Sequence, residues 1–499
     1  MPSNFSALDW SVLGVYLAAS VVLGASFYRK HETAKDYFLA GRSMSWFPVA
    51  ISIIATDLSA LSYIGVPALV YKKDLKYMLG AFLLPVQMFL VILIFIPLFY
   101  RLNLFSVYEY LERRFSSWTR LLASLLFMGG RGAWLATMTF ATALALSEMS
   151  GMNTYAAIFI CGFSTTLYTF LGGMEAVIWT DFLQFFVLVG GAVGILGYIL
   201  SSYQWNVGHI WSVASTTGHT TLFDFSLSLT RENTFWGLLI GLLVFQLSTY
   251  ATDQVIVQRY FTTKSLKDTV RAVMGSSLIV LPVLLLLYGI GVGLSAYYYD
   301  HPVMRASLTN ADRVMPHFTV RILPAGIRGL VLAGVFAATM SSISSGINSL
   351  TTSTVKDVME RIRPSIREND LFWARLISAA WGLVSILGAS LMVSGKLTVL
   401  EKFVAGYQFF AGPLVGMFLL GFLTRRASGG AVTISAVLGF GAALAAAHWT
   451  PIHWLWYSPI GCLVTMVLGY GGSLLSAAPN SEVVDQYTTE GDRQLRKAV

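Results

Sequence analysis

Ser341, Ser342, Ser344 and Ser345 stand as two adjacent pairs inside an apolar stretch running from about Leu330 to Leu350. At about 100° per residue, Ser341, Ser344 and Ser345 share one helical face, with Ser342 at its flank and Ala338 one turn earlier. Hydroxyl oxygens are hard, neutral ligands for a small hard cation when backbone carbonyls complete the shell. The same serines also suit close helix packing, each hydroxyl bonding back to the preceding turn. An opened helix with free carbonyls facing them would favour the cation.

The segment Ser52-Ile-Ile-Ala-Thr-Asp-Leu-Ser-Ala-Leu-Ser62, followed by Gly65 and Pro67, has the composition of such a helix. Gly65 and Pro67 weaken the helix beyond it, so a break near 56–60 frees the carbonyls of Ala55 and Leu58. A helix entering at Ser45 rises about 1.5 Å per residue and carries Asp57 to the middle of a bilayer. A carboxylate there costs several kcal/mol and is by default functional. Arg131, in Met128-Gly-Gly-Arg-Gly-Ala-Trp134, lies at a similar depth. It can neutralise Asp57, or hold a substrate carboxylate with two parallel bonds. Asp181 lies about a third of the way into its own span and needs a cation, which a bound metal ion would supply. Asp253 is expected near a span's cytoplasmic end, paired with a loop arginine. Gln87, Gln246, Tyr250 and Gln408 are further polar groups in apolar spans. Each is a candidate for lining a cavity or for bonding a neighbouring helix.

The helices that must position these groups are written in the composition. The 499 residues are 56% hydrophobic and 12% charged, with a mean hydropathy of +0.67. Apolar runs of 18 or more residues recur from end to end, each long enough to span a bilayer. The chain therefore reads as an all-α polytopic membrane protein of about thirteen spans, near 8–28, 47–68, 77–99, 120–149, 154–172, 176–201, 235–260, 271–298, 323–353, 372–394, 400–423, 428–447 and 454–475. The first span lacks a preceding basic region and a following small-residue cleavage site, so it reads as a retained helix.

Loops after odd-numbered spans hold most of the basic residues, among them Arg42, Arg101, Arg113, Arg114, Arg120, Arg259, Lys264, Lys356, Arg361 and Arg425. That bias puts the N-terminus outside and the C-terminus in the cytoplasm. It also accounts for the net charge of +8 without nucleic acid. Cys161 and Cys462 both lie in apolar spans, which argues against a disulfide framework. No serine–histidine–acid order, phosphate-binding loop or zinc motif is present, so the chain is expected not to be an enzyme. No obligate protein partner is evident.

Setting 8–28 aside as an extra helix, spans in 47–201 and 235–423 form two blocks of five with opposite orientation. This is the plan of an inverted-repeat transporter. Two peripheral helices over 428–475 and a polar, mobile tail over 476–499 complete the expected layout of a single transmembrane domain over 1–475.

Asp36-Tyr-Phe-Leu-Ala-Gly-Arg42, Tyr108-Glu-Tyr-Leu-Glu-Arg-Arg-Phe115, Gly172-Gly with Thr180-Asp-Phe-Leu-Gln184, Asp253-Gln with Gln258-Arg259, and Ala338 through Gly346 occur in order across nearly the whole chain. With them the sequence resembles the sodium/solute symporter family of glucose, proline, iodide, monocarboxylate and sialic acid cotransporters. The resemblance implies a leucine-transporter-like fold with an extra N-terminal helix, and alternating access driven by sodium. It implies a first sodium site from the carbonyls of Ala55, Leu58 and Ala338 with the hydroxyls of Ser341 and Ser342. A second sodium, as in some members, would use Asp181, Ser341, Ser344 and Ser345.

For the substrate, the resemblance to sialic acid transporters implies hydroxyls from Ser59 and Ser62 and the ring of Tyr77. Their carboxylate-binding arginine aligns nearer Trp134, one turn from Arg131, and their glutamine becomes Ala81. Glucose cotransporters place asparagine where Asp57 stands and glutamate at Ala81. Their remaining sugar contacts fall near Leu281 and at Ala405. The expectation is a symporter in the inner (plasma) membrane, importing a small hydrophilic solute such as a sugar acid, with Asp57, Ser59, Ser62 and Arg131 around it. An amino acid, monocarboxylate or polyol substrate, proton coupling through Asp57, or a sensor or channel are the alternatives.

Overall fold

The computed structural model describes residues 5–28, 33–308, 310–393 and 398–488, without the side chains of 398–407. Arg29, Lys30, the side chain of Ala405 and the tail from 489 onward lie outside that set. Among the described residues the regular structure is helical, apart from one isolated bridge between Met44 and Thr263. Among the described residues nine helices are long and apolar enough to cross a membrane, or ten with one bent pair counted as a single span.

Helix α1 (Ala7–Ala25) opens on a capping box in which Ser6 and Asp9 satisfy each other's backbone N–H groups. α2 (Trp46–Asp57) and α3 (Ala60–Lys72) are the bent pair, crossing at 60°. Leu58 (φ −81°, ψ 87°) and Ser59 (φ −83°, ψ 172°) have left helical geometry between them, so the expected break is present. α4 (Leu79–Ile94) and α5 (Ser117–Ser150) follow.

α6 (Thr154–Ser202) has 49 residues and holds both the fifth and the sixth expected spans. A straight helix of that length would run roughly 74 Å, more than twice a hydrocarbon core of about 30 Å. Gly173 breaks it at φ 48°, ψ −150°. A Cβ there would lie 2.6 Å from the Tyr37 carbonyl, so glycine answers both the backbone conformation and the approach.

α7 (Phe235–Leu247) gives way to a π-helical stretch over 248–252, and Asp253 then caps α8 (Gln254–Tyr260). A π-bulge where the chain meets an intramembrane acid interrupts the regular ladder and re-aims the side chains around it. α9 (Leu266–Asp300), α10 (Ile327–Ser353), α11 (Asp370–Val393), α12 (Thr398–Leu423), α13 (Gly429–Trp449) and α14 (Tyr457–Leu474) complete the bundle.

α10, which carries the serine pairs, lies at the centre: every residue from Val331 to Ser353 is buried. A helix covered on all sides needs no amphipathic stripe, which is why its sequence is apolar or small around the whole circumference. α1 packs against its start. Asp9 accepts hydrogen bonds from the backbone N–H groups of Gly326 (2.8 Å) and Gly329 (2.9 Å). A buried carboxylate on those exposed N–H groups is favoured by hydrogen bonding and by the helix dipole. The extra N-terminal helix thus props the serine helix.

The described part of the tail, up to residue 488, is partly helical and packed. Residues Ser481–Tyr487 form α15, with Val484 buried. The Tyr110 hydroxyl donates to the Tyr487 carbonyl (3.0 Å), and Arg425 pairs with Asp485. One apolar side chain and a charge partner on a neighbouring loop suffice to hold a polar segment that composition alone reads as solvated.

Candidate functional site

The break between α2 and α3 faces the serines of α10. Ser341 Oγ donates to the Ala55 carbonyl (2.7 Å) and approaches the Ala338 carbonyl (3.1 Å). Ser342 Oγ donates to the Thr56 carbonyl (3.1 Å), with Ala338 again near at 3.2 Å. Two hydroxyls and three carbonyls, all neutral and hard, therefore converge where α2 loses its ladder. Four of these residues, Ala55, Ala338, Ser341 and Ser342, are the expected ones. The carbonyl that Ser342 meets is that of Thr56, while Leu58 lies two residues further on, in the break itself. The Thr56 carbonyl is a contact that the sequence does not single out, because the start of an unwound turn cannot be fixed to a residue without coordinates.

Asp181 lies behind α2, fully buried. Its Oδ2 accepts from Ser52 Oγ (2.6 Å), Arg259 Nη2 (2.9 Å) and Thr56 Oγ1 (3.4 Å). Its Oδ1 is buried without a hydrogen-bond partner among the described residues. Arg259 is also fully buried and donates through Nε to Ser52 Oγ (2.8 Å) and through Nη2 to Ser345 Oγ. This corrects the sequence reading in one respect: Asp181 has a protein cation. Arg259 was assigned to a loop because it stands at a span's edge, yet α8 runs inward and carries it into the core. Ser344 and Ser345 each donate to the Ser341 carbonyl (3.1 and 2.6 Å), so both hydroxyls bond back one turn.

On the other side of the break a cavity of about 390 Å³ opens. Asp57, Ser59, Ser62, Tyr77, Arg131, Gln246 and Gln408 line it, with Ser342 contributing from the ion side. Leu58, Trp134, Phe245 and Tyr288 supply apolar wall. Tyr250 reaches the site through Asp57, its hydroxyl donating to Asp57 Oδ2 at 2.9 Å. Gln87 is buried with both amide atoms unpartnered and does not line the cavity.

Arg131 does not take Asp57 as its hydrogen-bond partner. Its Nε donates to Asp253 Oδ2 at 2.7 Å and Nη2 contacts the same oxygen. Asp253 thus pairs with an intramembrane arginine instead of the loop arginine expected from its place near a span end. The π-helical stretch ahead of it sets Asp253 at the start of α8, where it also accepts from Val255 N–H (2.9 Å).

Residues 37–439 match the sodium:solute symporter family. The chain is 30% identical over 503 residues to the sodium/sialic acid symporter NanT of Aliivibrio fischeri, covering 99% of each chain. It is 31% identical over 494 residues to the sodium/sialic acid symporter SiaT of Proteus mirabilis, with 98% of this chain and 99% of the relative aligned. Human sodium-coupled monocarboxylate transporter 1 is 30% identical over 92% of this chain and 75% of its own. A solved Na+-coupled sialic acid symporter, outward-open and substrate-bound, superposes with a TM-score of 0.90 at 30% identity, covering 96% of this chain and all of that one. The fold is also that of Mhp1, a nucleobase-cation-symport-1 transporter, at a TM-score of 0.56, 14% identity, and 92% and 98% coverage. The leucine-transporter-like fold, the family motifs and sodium as coupling ion therefore agree: this chain belongs to the sodium:solute symporter family.

Proposed function

We propose that the chain is a sodium-coupled symporter that imports a small hydrophilic organic solute by alternating access. A sugar acid is the leading class, since its relatives NanT and SiaT are sialic acid symporters. The observation that carries this reading is the convergence of Ser341 and Ser342 on the carbonyls of Ala55, Thr56 and Ala338, beside a cavity that Ser342 also lines. Sodium entering there replaces hydroxyl protons turned toward the carbonyls. It ties the broken pair α2–α3 to α10, and that tie favours the solute-binding form. Leu58 supplies a further carbonyl as the break opens.

A second ion position is favoured by one feature. Asp181 Oδ1 is buried without a partner among the described residues, Thr56 and Arg259 link the same carboxylate to Ser345, and such an atom calls for a water or an ion. The ligands are Asp181, Ser341, Ser344 and Ser345, with Arg259 remaining on Oδ2.

The solute site is formed by Asp57, Ser59, Ser62, Tyr77, Gln246 and Gln408, with Tyr250 holding Asp57 and Arg131 below. Gln87 would join only through rearrangement of α4. The protein acts as a transporter and not as an enzyme. It lies in the plasma membrane with its N-terminus outside and its C-terminus in the cytoplasm, following the basic residues of the alternate loops. Uptake into proteoliposomes tests the reading. Concentration of a labelled sugar acid should require an inward sodium gradient and vanish in choline. Equal uptake in choline would reject sodium coupling.

A further inference from the structure

Among the described residues that line the cavity, Asp57 is the one carboxylate and Arg131 the one permanent cation. Each has a different partner. Arg131 spends Nε and Nη2 on Asp253. That charge-assisted contact occupies the Nε–Nη2 edge of the guanidinium, an edge that a solute carboxylate would need. Asp57 has a single described side-chain partner, the Tyr250 hydroxyl, on Oδ2. A carboxylate accepts through about four lone-pair positions, and Asp57 faces the cavity with most of that capacity unused.

The charges around the cavity point the same way. Arg131 and Asp253 cancel, and sodium at Ser341 and Ser342 balances Asp57. With that ion bound, a net-neutral solute leaves the cavity lining neutral, whereas an anion adds a charge beside Asp57 in a medium of low dielectric constant; a second ion at Asp181 would lie outside that lining. Asp181 and Arg259 balance each other and do not line the cavity.

We infer that the solute presents a protonated amine to Asp57, so that the transported compound is a zwitterion: an amino acid or an acid sugar with a free amine. The inference rests on the proposed symporter function and narrows its substrate class. Tyr250 fixes one oxygen of Asp57 and leaves the other for the ammonium. The solute carboxylate falls to the hydroxyls of Ser59 and Ser62 and the backbone N–H groups at the start of α3, away from Asp253. A solute that offers only hydroxyls, or whose amine is acylated, gives up a charge-assisted bond and leaves Asp57 desolvated.

The test uses the full-length purified protein in saturating sodium and matched compounds that differ at the amine: alanine against lactic acid, glucosaminic acid against gluconic acid, and N-acetylneuraminic acid as the acylated case. Half-saturating concentrations are read from ligand-dependent melting temperatures and from competition for uptake. In at least one pair the amine should bind tenfold or more tightly. Asp57→Asn should erase that preference while keeping the sodium-dependent rise in melting temperature. Equal binding of both members in every pair, or tight binding of N-acetylneuraminic or gluconic acid that Asp57→Asn does not change, overturns the inference while sodium coupling stands. Loss of the sodium response itself, in wild type, would instead overturn the symporter reading on which it rests.

Discussion

The two proposed sets of ion ligands differ in charge, and the difference separates what each can do. At the break, hydroxyls of Ser341 and Ser342 meet carbonyls of Ala55, Thr56 and Ala338 without a formal charge among them. Behind α2, Asp181 already holds Arg259 at 2.9 Å with both side chains fully buried. A neutral oxygen cluster exchanges a proton-directed arrangement for a cation, and none of its own ligands is left charged when the ion departs. The charged set is different. Its guanidinium cannot leave, so a second cation must share Asp181 with a fixed positive group. The first arrangement suits repeated loading and release; the second suits a strong joint between α2, α6, α8 and α10 that an ion only modulates.

The largest expected effect breaks the charged set. Arg259→Ala leaves Asp181 buried without its cation, a loss of about 3–5 kcal/mol when one partner of a buried pair is removed. Little folded protein should be recovered in detergent, and Asp181→Asn with Arg259→Met should recover more than the single variant. A stable, fully active Arg259→Ala would show that the pair is dispensable.

Next comes the neutral set. Ser342→Ala removes one ligand of the first ion, and the sodium concentration for half-maximal uptake should rise roughly tenfold, about 1.4 kcal/mol in binding. Melting temperature without sodium should stay close to wild type. A smaller effect is expected at Ser344. Ser344→Ala should lower the Hill coefficient for sodium toward one while sparing the fold, and an unchanged coefficient would speak for a single coupling ion. The smallest is Tyr250→Phe, which frees Asp57 from a hydrogen bond worth about 1 kcal/mol net. It should weaken solute binding about fivefold without moving the sodium dependence, as read in uptake titrations.

Much of this was legible in sequence because its signals are local. Asp57 and Ser59 stand at the broken turn and announce it in one stretch, whereas Gly65 and Pro67 lie inside α3, which runs through both. The small residues of α10 announce a buried helix equally directly. The pairings of charge were not legible. Arg259 and Asp253 both stand near the end of an apolar run, where composition cannot tell a loop from a helix that turns inward. Their partners, Asp181 and Arg131, come from α6 and α5, far away in the chain. Only the π-helical stretch at 248–252 and the inward run of α8 bring them together. The approach of Ser342 to the Thr56 carbonyl depends on where one turn unwinds, and helix ends are where sequence patterns resolve least. The docked helix α15 rests on Val484 and on contacts with Tyr110 and Arg425, too small a signal to separate from a solvated segment.

The measurement closest to the central claim is a sodium titration of melting temperature on wild type, Ser342→Ala and Ser344→Ala, with potassium and choline as controls. The account predicts a saturable, sodium-specific rise in wild type, a midpoint about tenfold higher in Ser342→Ala, and a lesser change in Ser344→Ala. An identical titration in Ser342→Ala, or an equal rise in potassium, would contradict it and remove the break of α2–α3 as the ion site.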